Sequence, residues 1–216
     1  MAPQSALEFW FEFASTYSYI AAMQIDERCR EADVELIWKP FSLGPIFALQ
    51  GWNDSHFNLN ERRGAYMWRD MERLTAKFGL PWQRPTRFPR PSTVPLRVAC
   101  AIAAEPWCGD FVRRVYVANF GEDREIGERD VIAAILTELG QPADEIVALA
   151  ESPERRGALR RNTERAIELG IFGAPNCVIG TELFWGEETL ADAITWATTP
   201  HAHARDALEA AGKSLC

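Results

Sequence analysis

Ser15 and Ser18 stand three residues apart where a short aromatic run, Leu7 to Phe13 (LEFWFEF), gives way to a helical pattern from Tyr19 to Arg30. Such a run reads as a buried strand. A serine at a strand-to-helix junction is a favoured N-cap. The first turn of a helix also presents unpaired backbone N–H groups and the positive end of the helix dipole, so it favours anions, a thiolate among them. A serine hydroxyl cannot form a disulfide, which excludes dithiol exchange at this pair. It can donate a charge-assisted hydrogen bond to a sulfur anion brought by another molecule. For Ser15, helix capping and sulfur binding both stand open at this level.

A second feature lies far along the chain. Ala174-Pro175 follows Gly170-Ile171-Phe172-Gly173 and precedes a strand-like run, Asn176 to Ile179. Proline is acceptable at a strand's first residue, where a cis bond can form; a loop proline closing a helix is the other reading. In redox proteins of the thioredoxin type a C-x-x-C pair occupies the first strand-to-helix turn. A cis-proline there faces that turn, and the backbone of the preceding residue pairs with the peptide part of a thiol substrate.

The elements between these two points set the expected fold. Val34 to Phe41 is a second strand, so the chain opens with a β-α-β unit, which implies a parallel, right-handed crossover. Residues 43–58 read as a loop rich in Gly, Pro, Asn and Asp. A long amphipathic helix is predicted from Leu59 to Phe78, ended by Gly79 and Pro81, followed by a proline-punctuated connector. Further helices are predicted over 96–105, 109–120, 128–140, 142–150 and 153–169. Asn176–Ile179 and Glu182–Trp185 flank Gly180-Thr181 as a hairpin, and a last helix runs from Glu187 to Trp196. The expectation is an α/β, thioredoxin-like domain (β-α-β … β-β-α) formed by residues 1–42 and 171–216, with an all-helical domain inserted over 43–170.

Composition narrows the function classes. The 216 residues carry 23 basic and 31 acidic side chains, a net charge of −8 that argues against nucleic acid and anionic membranes as partners. No apolar stretch approaches the roughly 18 residues of a membrane-spanning helix. The amino terminus lacks the basic and apolar segments of a secretory signal, so a cytoplasmic protein is expected. Cys29, Cys100, Cys108, Cys177 and Cys216 are irregularly spaced; reduced thiols are expected and no metal site.

The chain resembles the 2-hydroxychromene-2-carboxylate isomerases, within the group that includes DsbA-like proteins and kappa-class glutathione transferases. The resemblance covers residues 7–197 and rests on Phe11-Glu12-Phe13-Ala14-Ser15-Thr16-Tyr17-Ser18-Tyr19, Gly51-Trp52-Asn53-Asp54 and Arg63-Gly64-Ala65-Tyr66. Phe172-Gly173-Ala174-Pro175 and Leu183-Phe184-Trp185-Gly186-Glu187-Glu188 complete it. It implies a glutathione-dependent isomerase of aromatic catabolism, interconverting 2-hydroxychromene-2-carboxylate and trans-o-hydroxybenzylidenepyruvate or a related aromatic 2-oxo acid. The implied chemistry is transient thiol addition, bond rotation and elimination. A kappa-type transferase and a non-catalytic glutathione- or peptide-binding module are the alternatives, and a homodimer is implied by resemblance alone.

By the same resemblance Ser15 holds the glutathione sulfur, Ala174 bonds the cysteinyl backbone and Pro175 fixes its geometry. Asn53 and Arg63 reach glutathione from the inserted region. Arg63 suits a carboxylate of glutathione or of a small aromatic carboxylate substrate, or else is a solvated helix cation. Glu188 matches an acidic position that binds the γ-glutamyl ammonium, and Glu187 is grouped with it; acidic residues there also complement a helix dipole. Thr16 stands in place of the family's proline, Pro91 in place of an asparagine near the substrate, and Glu187 and Thr189 in place of a small or amide residue and an arginine.

His56 follows Asn53 in the polar loop, as a general base near substrate or as a solvated loop histidine. His201 and His203 fall in a polar tail, and Cys177 reads as strand packing. Of the aromatic residues Trp52, Tyr66, Trp68, Trp82, Phe88 and Trp185, the first and last are the expected pocket walls.

Overall fold

The computed structural model describes residues 6–199; His201, His203 and Cys216 lie outside them. The chain runs β1 (Leu7–Phe11), α1 (Thr16–Glu31), β2 (Leu36–Pro40), α2 (Leu43–Leu49), α3 (His56–Leu59) and α4 (Glu61–Phe78). It continues through α5 (Thr93–Ala101), α6 (Cys108–Phe120), α7 (Arg129–Glu138), α8 (Ala143–Glu151) and α9 (Pro153–Glu168). It closes with β3 (Asn176–Ile179), β4 (Glu182–Trp185), a 3-10 turn over Glu187–Thr189 and α10 (Leu190–Thr198).

The four strands form one mixed sheet in the order β2-β1-β3-β4. β1 runs parallel to β2, with Phe9 opposite Trp38, and antiparallel to β3, with Phe9 opposite Cys177. The β3–β4 hairpin pairs Cys177 with Phe184. The parallel pair needs α1 as its crossover, which places the N-terminus of α1 at the carboxyl end of β1.

The helical block between β2 and β3 shares its core with the sheet. Phe9, Phe11 and Trp38 pack edge to face, at 5.6 Å and 5.7 Å. Phe13 meets Tyr116 of α6 at 5.1 Å, and one apolar cluster continues from there into α5, α6 and α7. α6 also grips the turn after β1 through polar groups. The Tyr116 hydroxyl donates to the Glu12 carbonyl (2.9 Å) and Asn119 Nδ2 to the Phe13 carbonyl (2.9 Å). Both backbone acceptors are buried, so these bonds satisfy groups that would otherwise be costly to desolvate.

Several expected boundaries differ, three of them for clear local reasons. Residues 43–58 are not a loop throughout, because α2 and α3 lie within them. Pro45 sits in the first turn of α2, where a missing N–H breaks no helical bond. The same holds for Pro95, so α5 begins at Thr93 rather than 96. α1 begins at Thr16 rather than Tyr19, because Ser15 is its N-cap. Gly79 ends α4 in the left-handed conformation (φ 64°), as its position suggested. Among the described residues, no helix is long and apolar enough to cross a membrane.

Candidate active site

Ser15 is placed by two hydrogen bonds. Its Oγ accepts from the Ser18 N–H (3.2 Å), which caps α1, and its hydroxyl donates to the Ala174 carbonyl (3.0 Å). The Ala174–Pro175 bond is cis, and Pro175 is buried at the start of β3, with its carbonyl accepting from Gly186 N–H (3.0 Å). Residues 159 positions apart in sequence therefore meet directly, as the two local patterns suggested. Ser18 is fully buried, and Thr16 Oγ1 is buried without a hydrogen-bond partner.

Beside this meeting point lies a cavity of about 1230 Å³. The α1 turn and Ala174 line it, with Asn53, Arg62 and Arg63 and, of opposite charge, Asp70, Glu187 and Glu188. Of the expected glutathione-site residues Ser15, Asn53, Arg63, Ala174, Pro175, Glu187 and Glu188, all but Pro175 line it; Ser18 and Thr189 do not. Among the described residues neither Arg62 nor Arg63 is in an ion pair, so both remain available to an anionic ligand. Glu187 is half-buried, and its carboxyl is held above the ordinary range by desolvation and by Glu188. The cavity thus carries both cationic and anionic side chains, a pattern suited to a ligand bearing both carboxylate and ammonium groups.

The aromatic wall is broader than expected. Trp52 and Trp185 line the cavity, as do Phe47, Phe57, Tyr66 and Phe88. Trp68 and Trp82 instead face each other at 6.2 Å outside the lining. Trp185 packs on Phe172 (4.9 Å), and a Cβ at Gly173 would lie 2.8 Å from Trp185 Nε1, which explains the glycine in Phe172-Gly173-Ala174-Pro175. Pro91 also lines the cavity.

His56 is not a solvated loop histidine. It sits at the N-terminus of α3, 3.9 Å from the Phe57 ring and 5.5 Å from Trp52 by ring centroid, with Nδ1 buried and unpartnered. Burial, and then the Arg63 charge, push its pKa down, so the imidazole is neutral at physiological pH.

None of the described cysteines lines the cavity. Burial raises the thiols of Cys29, Cys100 and Cys108 to about 12, and that of Cys177 higher still, so none is a resident thiolate. Cys177 is strand packing.

Sequence reasoning missed Glu12. It directly follows β1 within an apolar run and reads as part of the strand, yet it is 3% exposed and lines the cavity. Its Oε2 accepts from the Ala14 N–H (2.8 Å) and its Oε1 from the Ser92 hydroxyl. Burial outweighs both bonds and raises the carboxyl from 4.5 to about 7. The only sequence signal was a charged residue at the end of an otherwise buried strand.

This shift has a stability consequence. Between 4.5 and about 7 the folded protein holds a proton that the unfolded chain has lost. Glu12 therefore contributes stability that is fully present below 4.5 and is lost as pH rises through 7, about 3 kcal/mol in all. Glu12→Gln removes that dependence. Denaturant titrations at about pH 5 and about pH 8 should show the variant gaining roughly 3 kcal/mol relative to wild type at the higher pH. A pH-independent difference would contradict the assignment.

A family model, the DSBA-like thioredoxin domain, matches residues 6–194. The chain is similar to a 2-hydroxychromene-2-carboxylate isomerase of Sphingobium xenophagum, 24% identical over 186 residues, 85% of this chain and 93% of that protein. It is similar to a glutathione S-transferase kappa 2 of Caenorhabditis elegans, 26% identical over 188 residues and 81% of each chain. A solved 2-hydroxychromene-2-carboxylate isomerase shares the fold with a TM-score of 0.79 at 22% identity, covering 88% of this chain and 93% of that one. With the four-stranded mixed sheet, the α1 turn and the cis-proline facing it, the chain belongs to the DSBA-like thioredoxin family, in the company of isomerases and transferases.

Proposed function

We propose that this protein is a glutathione-dependent isomerase acting on an aromatic 2-oxo or chromene carboxylate. The observation that carries the reading is the bond of Ser15 to Ala174 beside a cavity that, among the described residues, no cysteine lines. An anion site with no thiol of its own needs a thiol from outside.

The residues present fit glutathione. A helix N-terminus with a hydroxyl favours a sulfur anion. Arg62 and Arg63 match carboxylates, and Glu187 and Glu188 match an ammonium. The cavity is large enough for the tripeptide and an aromatic acid together.

Ser15 has one proton to donate, and in the free protein it goes to Ala174. We infer an exchange on binding, in which the Ala174 carbonyl turns to the ligand's cysteinyl N–H and the Ser15 hydroxyl turns to sulfur. Bound glutathione supplies a nucleophilic thiol that adds to a conjugated double bond, permits rotation and leaves unchanged. The aromatic wall from Phe47 to Phe88 excludes water and orients a planar substrate, and neutral His56 offers it a hydrogen bond. A cytoplasmic setting, where the glutathione pool is reduced, suits this use.

The test follows the absorbance of 2-hydroxychromene-2-carboxylate with and without glutathione. A glutathione-dependent approach to equilibrium supports the isomerase, and no dependence rejects it for that substrate. Stable glutathione adducts of generic electrophiles indicate a kappa-type transferase, the activity named for one relative.

A further inference from the structure

We propose that Glu12 is the proton acceptor of this site: its carboxylate takes the proton that an incoming thiol gives up beside Ser15, and returns it when the sulfur is released. The assignment rests on the reading of the cavity as a glutathione site and adds a residue to it. In the step, the thiol S–H bond breaks and a Glu12 O–H bond forms, the sulfur keeps the electron pair, and the site's total charge is unchanged.

Geometry comes first. Glu12 and Ser15 belong to one tight turn, in which the Ser15 N–H donates to the Glu12 carbonyl (3.0 Å), and both line the same cavity. Ser15 is no base, since its oxygen already accepts from Ser18 and its proton is held at Ala174. The carboxylate has only neutral donors, Ala14 N–H and Ser92 Oγ.

Among the described residues no cation is paired with it. Arg90, two residues before Ser92, is engaged with Asp123 and with Glu125 (3.3 Å) and donates to Asn119 (3.0 Å). On α6, Tyr116 donates to the Glu12 backbone and, with its phenol pushed upward by burial, stays neutral. The other titratable groups lining the cavity, among the described residues, are His56, Arg62 and Arg63, the carboxylates Asp54, Asp70, Glu187 and Glu188, and the phenols Tyr17 and Tyr66. Of the rival bases, His56 is weakened by burial and by Arg63, and Glu187, raised by desolvation and by Glu188, lies outside the turn that holds Ser15. Desolvation makes Glu12 a stronger base than an ordinary carboxylate, near 7, where proton transfer in either direction is easy. A thiolate arriving nearby would raise it further by like-charge repulsion, which keeps the transferred proton in place.

The proposal makes a proton count. At about pH 8 free Glu12 is ionised while the glutathione thiol is still mainly protonated. Calorimetric titration of glutathione in two buffers of different ionisation enthalpy should then show almost no proton release from wild type. Glu12→Gln has nowhere to store the proton and should release close to one per glutathione bound, about one at most. Equal release by both proteins overturns the proposal.

A wild-type measurement needs no variant. Infrared difference spectra at the same pH should gain a protonated-carboxyl band on adding glutathione, and not on adding S-methylglutathione. Absence of that band with glutathione bound also overturns the proposal. If glutathione does not bind at all, the reading of the cavity falls and this assignment with it. Binding without proton storage removes only the role of Glu12.

Discussion

Replacing Ser15 with alanine should lower glutathione-dependent turnover by about 10²–10³-fold, the range seen when one donor to a developing or bound anion is removed. The same change should raise the pKa of the bound thiol, because the anion loses a charge-assisted hydrogen bond worth about 1.5–3 kcal/mol. Two further bonds are lost with the hydroxyl: the cap to Ser18 N–H and the link to the Ala174 carbonyl. The cap alone is worth about 1 kcal/mol, so melting should fall by roughly 2–4 °C in a chain of this size. Ser15→Thr keeps a hydroxyl and separates the two effects. A thiolate titration unchanged in Ser15→Ala would reject sulfur binding by this residue and leave it a helix cap.

A second large effect is expected away from the reacting atoms. Gly64 lies in the first turn of α4, and a Cβ there would sit 2.4 Å from the Phe57 carbonyl oxygen, far inside contact distance. Alanine in a helix would ordinarily gain up to about 1 kcal/mol over glycine. Here the overlap is with backbone, which no side-chain rotamer relieves. Gly64→Ala should therefore destabilise by about 1–3 kcal/mol, the usual penalty for overpacking, despite the better helix former.

The displaced segment is α3, which carries His56 and Phe57 into the cavity. It is tied in turn to the Phe88 carbonyl through Asn58 Nδ2 (3.0 Å). A rise in substrate KM should accompany the lost stability. Thermal melting and steady-state kinetics check both, and a variant more stable than wild type would show that α3 and α4 do not approach this closely.

Much of this frame was legible in the residues themselves. The hairpin strands Asn176–Ile179 and Glu182–Trp185 match the structure residue for residue, since a turn at Gly180-Thr181 between apolar runs sets their register locally. Ser15 and Pro175 were identifiable for the same reason. A cap and a strand-initiating proline are decided within a few residues. Arg63, Asn53, Glu187 and Glu188 were singled out by the family resemblance alone, and all four line the cavity. Where local rules misled, as at Pro45 and Pro95, the residue type was read as a breaker although its place in a first turn made it harmless.

What the tertiary structure alone decided is the character of the groups around Ser15. Its hydroxyl is a free donor in sequence, yet in the fold it is bonded to a carbonyl 159 residues away. Glu12 is one more charged residue until α6 and the Ser92 segment close over it. His56 is a polar-loop residue until Phe47, Trp52 and Phe57 surround it. Secondary structure and capping depend on neighbours along the chain, whereas desolvation depends on neighbours in space. Local sequence placed Ser15 at a helix N-terminus and Pro175 before a strand; packing made the side chains around them basic, neutral or already bonded.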